Sequence, residues 1–257
     1  ILVTVFMKLS KRLAAAYDMV PNARCIADVG TDHGYLAAAL LQGGKADYVI
    51  AIDVNKGPLA TATAYLKEQG LEGQSECRLG DGLTVTKPGE VDVAVLCGMG
   101  GFLMADIVKA APPGIGTFIL QPQNGHEELK RYLYDAGFGV MAERLIYDGG
   151  HYYEVWRVEA GKSQESVYAK LPEDSILWEL GALMYGYTVS EGEPPFASDG
   201  LPDGSKGGKD PLWDEYIAHR VAMAEKALAS IRKGAPSQRR DEQERAMIEF
   251  LRKVAAL

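Results

Sequence analysis

Cysteine is scarce in this chain of 257 residues: there are three, Cys25, Cys77 and Cys97, far apart in sequence. The four histidines, His33, His126, His151 and His219, lack metal-ligand spacing as well. That excludes a disulfide scaffold and a zinc cluster. Each cysteine falls in or beside an expected strand, which reads as buried, reduced thiols in a cytoplasmic protein. No run of about 18 apolar residues exists, so no membrane span is expected. Ile1 to Phe6 is apolar but too short for a signal peptide, without a charged n-region or cleavage site. Met7-Lys8-Leu9-Ser10 reads as a natural start. A P-loop, a Ser-His-Asp signature and Gly-x-Gly-x-x-Gly are all missing. Basic residues are outnumbered, 27 against 35 acids for a net charge of -8, which argues against non-specific coating of nucleic acid. The deficit is uneven. From Arg220 to Lys253 nine bases face five acids, so this tail is positive while the rest is acidic.

Strands and helices alternate through the first part. A helix over 7–20 ends at Pro21. Strands are expected at Cys25–Val29, Tyr48–Ile52, Ser75–Leu79, Val91–Cys97 and Thr117–Leu120. Between them lie helices at His33–Leu41, Asn55–Gln69 and Phe102–Ala110, and another follows at Glu127–Ala136. Val91–Cys97 is continuously apolar, as in the buried centre of a parallel sheet. Gly139–Tyr147 and Tyr152–Val158 flank Asp148-Gly149-Gly150 and read as a hairpin. The predicted fold is therefore α/β, doubly wound and ending in a β-hairpin, over residues 7–160; it resembles the Rossmann-like sheet of class I methyltransferases. A smaller all-helical, coiled-coil-like domain is expected over 161–257. Its helices are Asp174–Tyr185, Leu212–Arg232 and Gln238–Ala255, with a Gly/Pro-rich loop at Glu191–Asp210 and a break at Gly234-Ala235-Pro236.

Asp28-Val29-Gly30-Thr31-Asp32-His33-Gly34 joins the first strand to a helix N-terminus, a place that holds nucleotide-like cofactors. An acid beside the loop, with no matching basic residue, suits a ligand with positive charge and no phosphates, as S-adenosylmethionine is. Gly30 and Gly34 let backbone approach the ligand. Asp28 or Asp32 can face its cationic part, and His33 sits in the same loop. Asp53, at the end of the second strand with Val54 beside it, can accept from both ribose hydroxyls. A nicotinamide cofactor would want the same acid. Gly80-Asp81-Gly82-Leu83 offers an acid for an adenine amino group and Leu83 to pack on the ring. Cys97-Gly98-Met99-Gly100-Gly101, at the end of the fourth strand, leaves space where a flat base and a methyl donor can meet. Gln121-Pro122-Gln123-Asn124 places amides where they can read a base edge. The candidate catalytic positions are thus Gly98, Met99, Gly100, Gln121 and Pro122. Those for the cofactor are Asp28, Gly30, Asp32, His33, Gly34, Asp53, Val54, Asp81, Gly82, Cys97 and Gly98. No metal is expected.

Asp-Val-Gly-Thr-Asp-His-Gly-Tyr-Leu, Gly-Asp-Gly-Leu, Cys-Gly-Met-Gly-Gly and Leu-Gln-Pro-x-Asn together resemble the bacterial tRNA adenine-N1 methyltransferases of the TrmK type, from Met7 onward. The resemblance implies methylation of adenine 22 of tRNA with S-adenosylmethionine, and a Rossmann-like domain followed by a helical one. One departure stands out. The family reads Gln-Pro-Asn, whereas Gln123 here precedes Asn124. Adenine N1 has an in-plane lone pair, so alignment rather than a strong base is the requirement, and the base must leave its stack. The basic tail is the expected tRNA handle, with no membrane partner. The alternatives are a methyltransferase of another substrate (rRNA, protein or a small molecule), a nicotinamide-dependent oxidoreductase, and a non-catalytic RNA-binding protein. Oligomeric state is not legible.

Overall fold

The computed structural model describes residues 9–187, 208–233, 245, 247–249 and 251–253. Most of the expected 191–210 loop, the break at 234–236, much of the last helix and the Met7 start lie outside the described residues.

Seven strands form one sheet in the order β3-β2-β1-β4-β5-β7-β6. They are β1 (Ala23–Val29), β2 (Ala46–Asp53), β3 (Ser75–Leu79), β4 (Val93–Met99), β5 (Thr117–Pro122), β6 (Phe138–Asp148) and β7 (His151–Ala160). The first five are parallel, and β7 runs antiparallel to both β5 and β6. The chain leaves β1 toward β2 on one side and reaches β4 on the other. The crevice beyond the carboxyl ends of β1 and β4 is therefore the topological switch point, where open α/β sheets bind ligands.

Period-two alternation buries both faces. Ile26, Val49, Val95 and Ile119 point to a core covered by α1 (Lys11–Met19), α2 (Tyr35–Gln42) and α3 (Lys56–Glu68). Ala27, Ile50, Leu96, Phe118 and Trp156 point to the other core, under α4 (Gly101–Ala110) and α5 (His126–Asp135). Ser10 starts α1 by accepting from the N–H of Leu13, a standard cap. Asn55 precedes α3 without a side-chain cap bond.

The segment after β7 departs from expectation. Its apolar residues have helical spacing, yet only α6 (Leu177–Leu180) is α-helical, preceded by two 3-10 turns. Gly181, at φ +94°, ends the helix. Tyr168, Trp178, Leu180 and Met184, with Trp213 and Tyr216 of α7 (Trp213–Lys233), enter the same core as the sheet.

A fully buried cation organises this junction. Lys130 of α5 lies 3.2 Å from a Glu143 carboxylate oxygen and 3.4 Å from one of Glu154. Burial opposes its charge, but Glu143 and Glu154 outweigh burial and hold the ammonium above its ordinary pKa. Glu154 also accepts from Trp156 Nε1 at 3.0 Å and Tyr216 Oη at 2.9 Å. Arg220 of α7 donates to Tyr216 Oη and to Glu179. α7 is thus tied to the sheet by hydrogen bonds as well as by apolar packing.

Candidate active site

A cavity of about 340 Å³ opens at the switch point. Asp28, Gly30, Asp32 and His33 line it from the loop after β1, and Cys97, Gly98 and Met99 from the end of β4. Seven of the residues singled out in the sequence therefore share one wall. They meet because β1 and β4 are adjacent parallel strands, so their carboxyl ends lie side by side.

The loop after β1 is held by its backbone. The N–H groups of Gly30 and Thr31 both donate to the Ile52 carbonyl, at 2.8 and 3.1 Å. Thr31 Oγ1 donates to Asp28 at 2.7 Å. Asp28 is buried, and burial pushes its carboxyl up to about 6. The Thr31 hydroxyl and a backbone hydrogen bond from Ala37 resist that rise, while Asp53 adds to it. A cation bound nearby would favour the ionised form again. Asp32, at φ +52°, is the sole non-glycine at positive φ among the described residues. Its carboxylate lies 3.6 Å from His33 Nε2, and both side chains are exposed.

The β4 side is shaped by a bulge. The pairing of β4 with β5 slips between Cys97 and Met99, leaving Gly98 at φ +76°. Its N–H donates to the side chain of Gln121, with Oε1 at 3.1 Å. The same oxygen accepts from Arg12 Nη1 at 2.8 Å, and Gln121 Nε2 donates to the Pro122 carbonyl. Burial raises the Cys97 thiol to about 12, which disfavours its thiolate in this wall.

Several expectations need correction. Gln121 is fully buried with its amide committed to the protein, so it cannot read a base edge and shapes Gly98 instead. Pro122 is buried and faces a second cavity. Leu83 is fully buried in the sheet core and cannot pack on a ligand ring, whereas Val54 is 65% exposed. Gly82 is buried against Ile107. Gly34 caps α2 in a left-handed conformation, with Ala62 behind it. Neither glycine lines the cavity, and nor do Asp53, Val54, Asp81 and Gly100. Asp53 is buried at the end of β2 and accepts from the N–H of Asn55 at 2.8 Å. Asp81 is exposed.

The expectation of no basic residue at the loop also fails. Arg12 of α1 lines the cavity, as do Gln123, Leu13 and Tyr35. Local sequence signals could not find Arg12, because α1 is carried to the site by packing across the sheet. Gln123 belongs to the amide run expected to read a base edge, and it does line the cavity. The basic tail is partly spent internally: Arg220 bonds Glu179, and Arg252 pairs with Glu225. Among the described residues no group of three or more His, Cys, Asp or Glu could hold a metal ion. No helix among them is long and apolar enough to cross a membrane.

Residues 9–156 match the family model described as a methyltransferase domain. The chain is 34% identical over 188 residues to the tRNA (adenine(22)-N(1))-methyltransferase of Bacillus subtilis strain 168, covering 72% of this chain and 76% of the relative. The crystal structure of the B. subtilis tRNA methyltransferase TrmK superposes with a TM-score of 0.76 at 26% identity, covering 96% of this chain and 99% of that one. Streptococcus pneumoniae Sp1610, crystallised in complex with S-adenosyl-L-methionine, gives a TM-score of 0.73 at 25% identity, covering 96% and 99%.

Proposed function

The chain belongs to the tRNA (adenine(22)-N(1))-methyltransferase family, and from that premise we propose how its own residues divide the work. It is an S-adenosylmethionine-dependent enzyme that methylates N1 of adenine 22 in tRNA. One observation supports placing the cofactor at the switch point. A buried acid, Asp28, stands in the wall of the 340 Å³ cavity with its ionisation opposed by burial. Such an acid fits a cationic ligand better than an anionic one.

S-adenosylmethionine supplies an electrophilic methyl group on a sulfonium that also carries an ammonium and an adenosine. Asp28 and Asp32 place negative charge where that cationic end lies. Gly30 and Gly34 shape the loop that receives it, and His33 closes its outer side. Asp53 takes the ribose hydroxyls, with Val54 against the adenosine. Asp81 accepts from the adenine amino group, with Gly82 setting the turn. Cys97 completes the inner wall.

Gly98, Met99 and Gly100 leave room for the incoming base and present backbone groups to it. Gln121 and Pro122 act behind them as positioning residues. No general base is required, because N1 of an unpaired adenine carries its lone pair in the ring plane and no proton. Catalysis then rests on alignment and electrostatics. The product is a cation, which the acidic wall tolerates. Residues 7–160 carry the cofactor and the chemistry. Within the helical part from 161 onward, the positive stretch 220–253 is the tRNA handle, since the rest of the chain is acidic and repels phosphates. The free thiols of Cys25, Cys77 and Cys97 suit a cytoplasmic setting.

The test is methyl transfer from labelled S-adenosylmethionine to an unmodified bacterial tRNA with adenine at position 22, beside the same tRNA with guanine there. Label on the adenine form alone, mapped to N1, is the expected result. Binding of S-adenosylmethionine without any transfer would move the substrate elsewhere.

A further inference from the structure

A second cavity, of about 370 Å³, lies beside the first. Gln123 lines both. Across the partition, Arg12 of the first cavity sits over the ring of Tyr153 in the second, 5.7 Å from its centroid. The two spaces therefore share a wall at the end of β5, next to Gly98. The volume falls within the range of small-ligand sites.

Its lining differs in kind from the first. Tyr152 and Tyr153 come from β7, while His219 comes from α7. The Tyr152 ring lies 5.2 Å from His219 and 5.7 Å from Tyr216, centroid to centroid. Glu154 forms part of the lining, and its carboxylate is already held by Tyr216, Trp156 and Lys130. Flat rings, half-exposed at Tyr152 and Tyr153 and exposed at His219, suit a planar heterocycle. They suit a phosphate less well, because the guanidinium in this wall, Arg220, is engaged by Glu179 at 2.7 Å.

We infer that this aromatic cavity receives the extruded adenine of the RNA, stacked against Tyr152 and His219, with Gln123 at the shared wall fixing which edge faces the methyl donor. This rests on the function proposed above. Three physical points support it. The first cavity must hold the cofactor, so the base needs a neighbouring space. A base taken out of its stack is ordinarily received between aromatic and apolar side chains. A glutamine amide can bond adenine through its N6 and N7 positions, which leaves N1 free to react. The same amide meets two acceptors on guanine, so it discriminates as well as orients.

The experiment uses the full chain with an unmodified tRNA transcript bearing adenine 22. Wild type is compared with Tyr152→Ala, Tyr152→Phe and His219→Ala. His219 is exposed on α7, so its truncation spares the core. Affinity for S-adenosylmethionine by titration calorimetry and tRNA kcat/KM are measured for each. Cofactor affinity should stay within about twofold, while kcat/KM falls about tenfold or more in both alanine variants, the scale of a lost base stack. Tyr152→Phe, which keeps the ring, should recover most of the rate. Unchanged kcat/KM in His219→Ala and Tyr152→Ala, with an active wild type, overturns the cavity assignment alone. A wild type that leaves the adenine 22 transcript unlabelled overturns this inference and the function beneath it.

Discussion

Arg12 Nη1 donates to Gln121 Oε1 at 2.8 Å, across 109 residues of chain. The acceptor oxygen is also the one that takes the Gly98 N–H, so one amide joins the N-terminal helix, the fifth strand and the bulge at the cavity. Without Gln121, the bulged N–H would lose the partner that replaces its ladder bond. This explains why an amide stands in an otherwise apolar, fully buried strand position.

Gln121→Leu should therefore lower both stability and rate. Three hydrogen bonds go, one of them to a guanidinium, which costs about 2 kcal/mol or more. Urea unfolding should show the stability loss. Steady-state assays should show kcat reduced more than cofactor affinity, because Gly98 lines the reacting end. A variant with wild-type kcat would separate Gln121 from the chemistry.

Asp28→Asn tests the buried acid. The folded carboxyl is raised from its ordinary value of 3.8 to about 6, so the folded state holds its proton more tightly than the unfolded one. Ionisation penalises folding, and the penalty grows from about pH 4 to pH 6 and is complete above that. Relieving it is worth on the order of 3 kcal/mol. The ligand-free variant should melt higher than wild type at pH 8 and equally at pH 3.5. Its affinity for S-adenosylmethionine should fall at pH 8. A variant that melts lower at pH 8 would contradict the buried-charge account.

Asp53→Ala should weaken S-adenosylmethionine binding by about 1–3 kcal/mol, the scale of hydrogen bonds to a charged group. The fold should change little, since the Asp53 carboxylate accepts locally, from the nearby Asn55 N–H. Calorimetry showing unchanged affinity would remove Asp53 from the ribose site.

Lys130→Met should be among the most damaging single changes. It strands the Glu143 and Glu154 carboxylates with side chains at most 2% exposed, and breaking such a pair costs about 3–5 kcal/mol. Because Glu154 also holds Tyr216 of α7, tRNA turnover should fall along with the melting temperature. Full stability in the variant would show that the two acids take up protons at little cost.

The legible part of the site was the part that chain-local chemistry determines. Asp28-x-Gly30 could be placed because a strand, a glycine turn and a helix start follow one another in sequence. Cys97-Gly98-Met99 could be placed because a continuous apolar strand must end there. Arg12 could not, since only the packing of α1 over the sheet brings it to Gly98. Leu83 departs from its expected role for a related reason. Asp-Gly announces a turn, but the 3-10 helix that follows points Leu83 into the core shared with Leu96 and Ile107. The segment around Trp178 has helical apolar spacing, yet Gly181 stops the helix after one turn.

Gly98 provides the sharpest test of the open crevice. Its φ of +76° strains any L side chain, and a Cβ there would lie 3.2 Å from Arg12 Nη1. Gly44, in the turn after α2, has a similar φ of +68° but nothing within 4 Å of a built Cβ. Both alanine variants should therefore lose comparable stability from the backbone, about 1–2 kcal/mol. Only Gly98→Ala also presses on the guanidinium that Gln121 holds. Matched melting temperatures with activity lost in Gly98→Ala alone would assign the defect to the crevice rather than to folding. Gly98→Val should block turnover entirely. If Gly98→Ala and Gly44→Ala turned over tRNA at the same rate, the space above Gly98 would have no part in receiving the base.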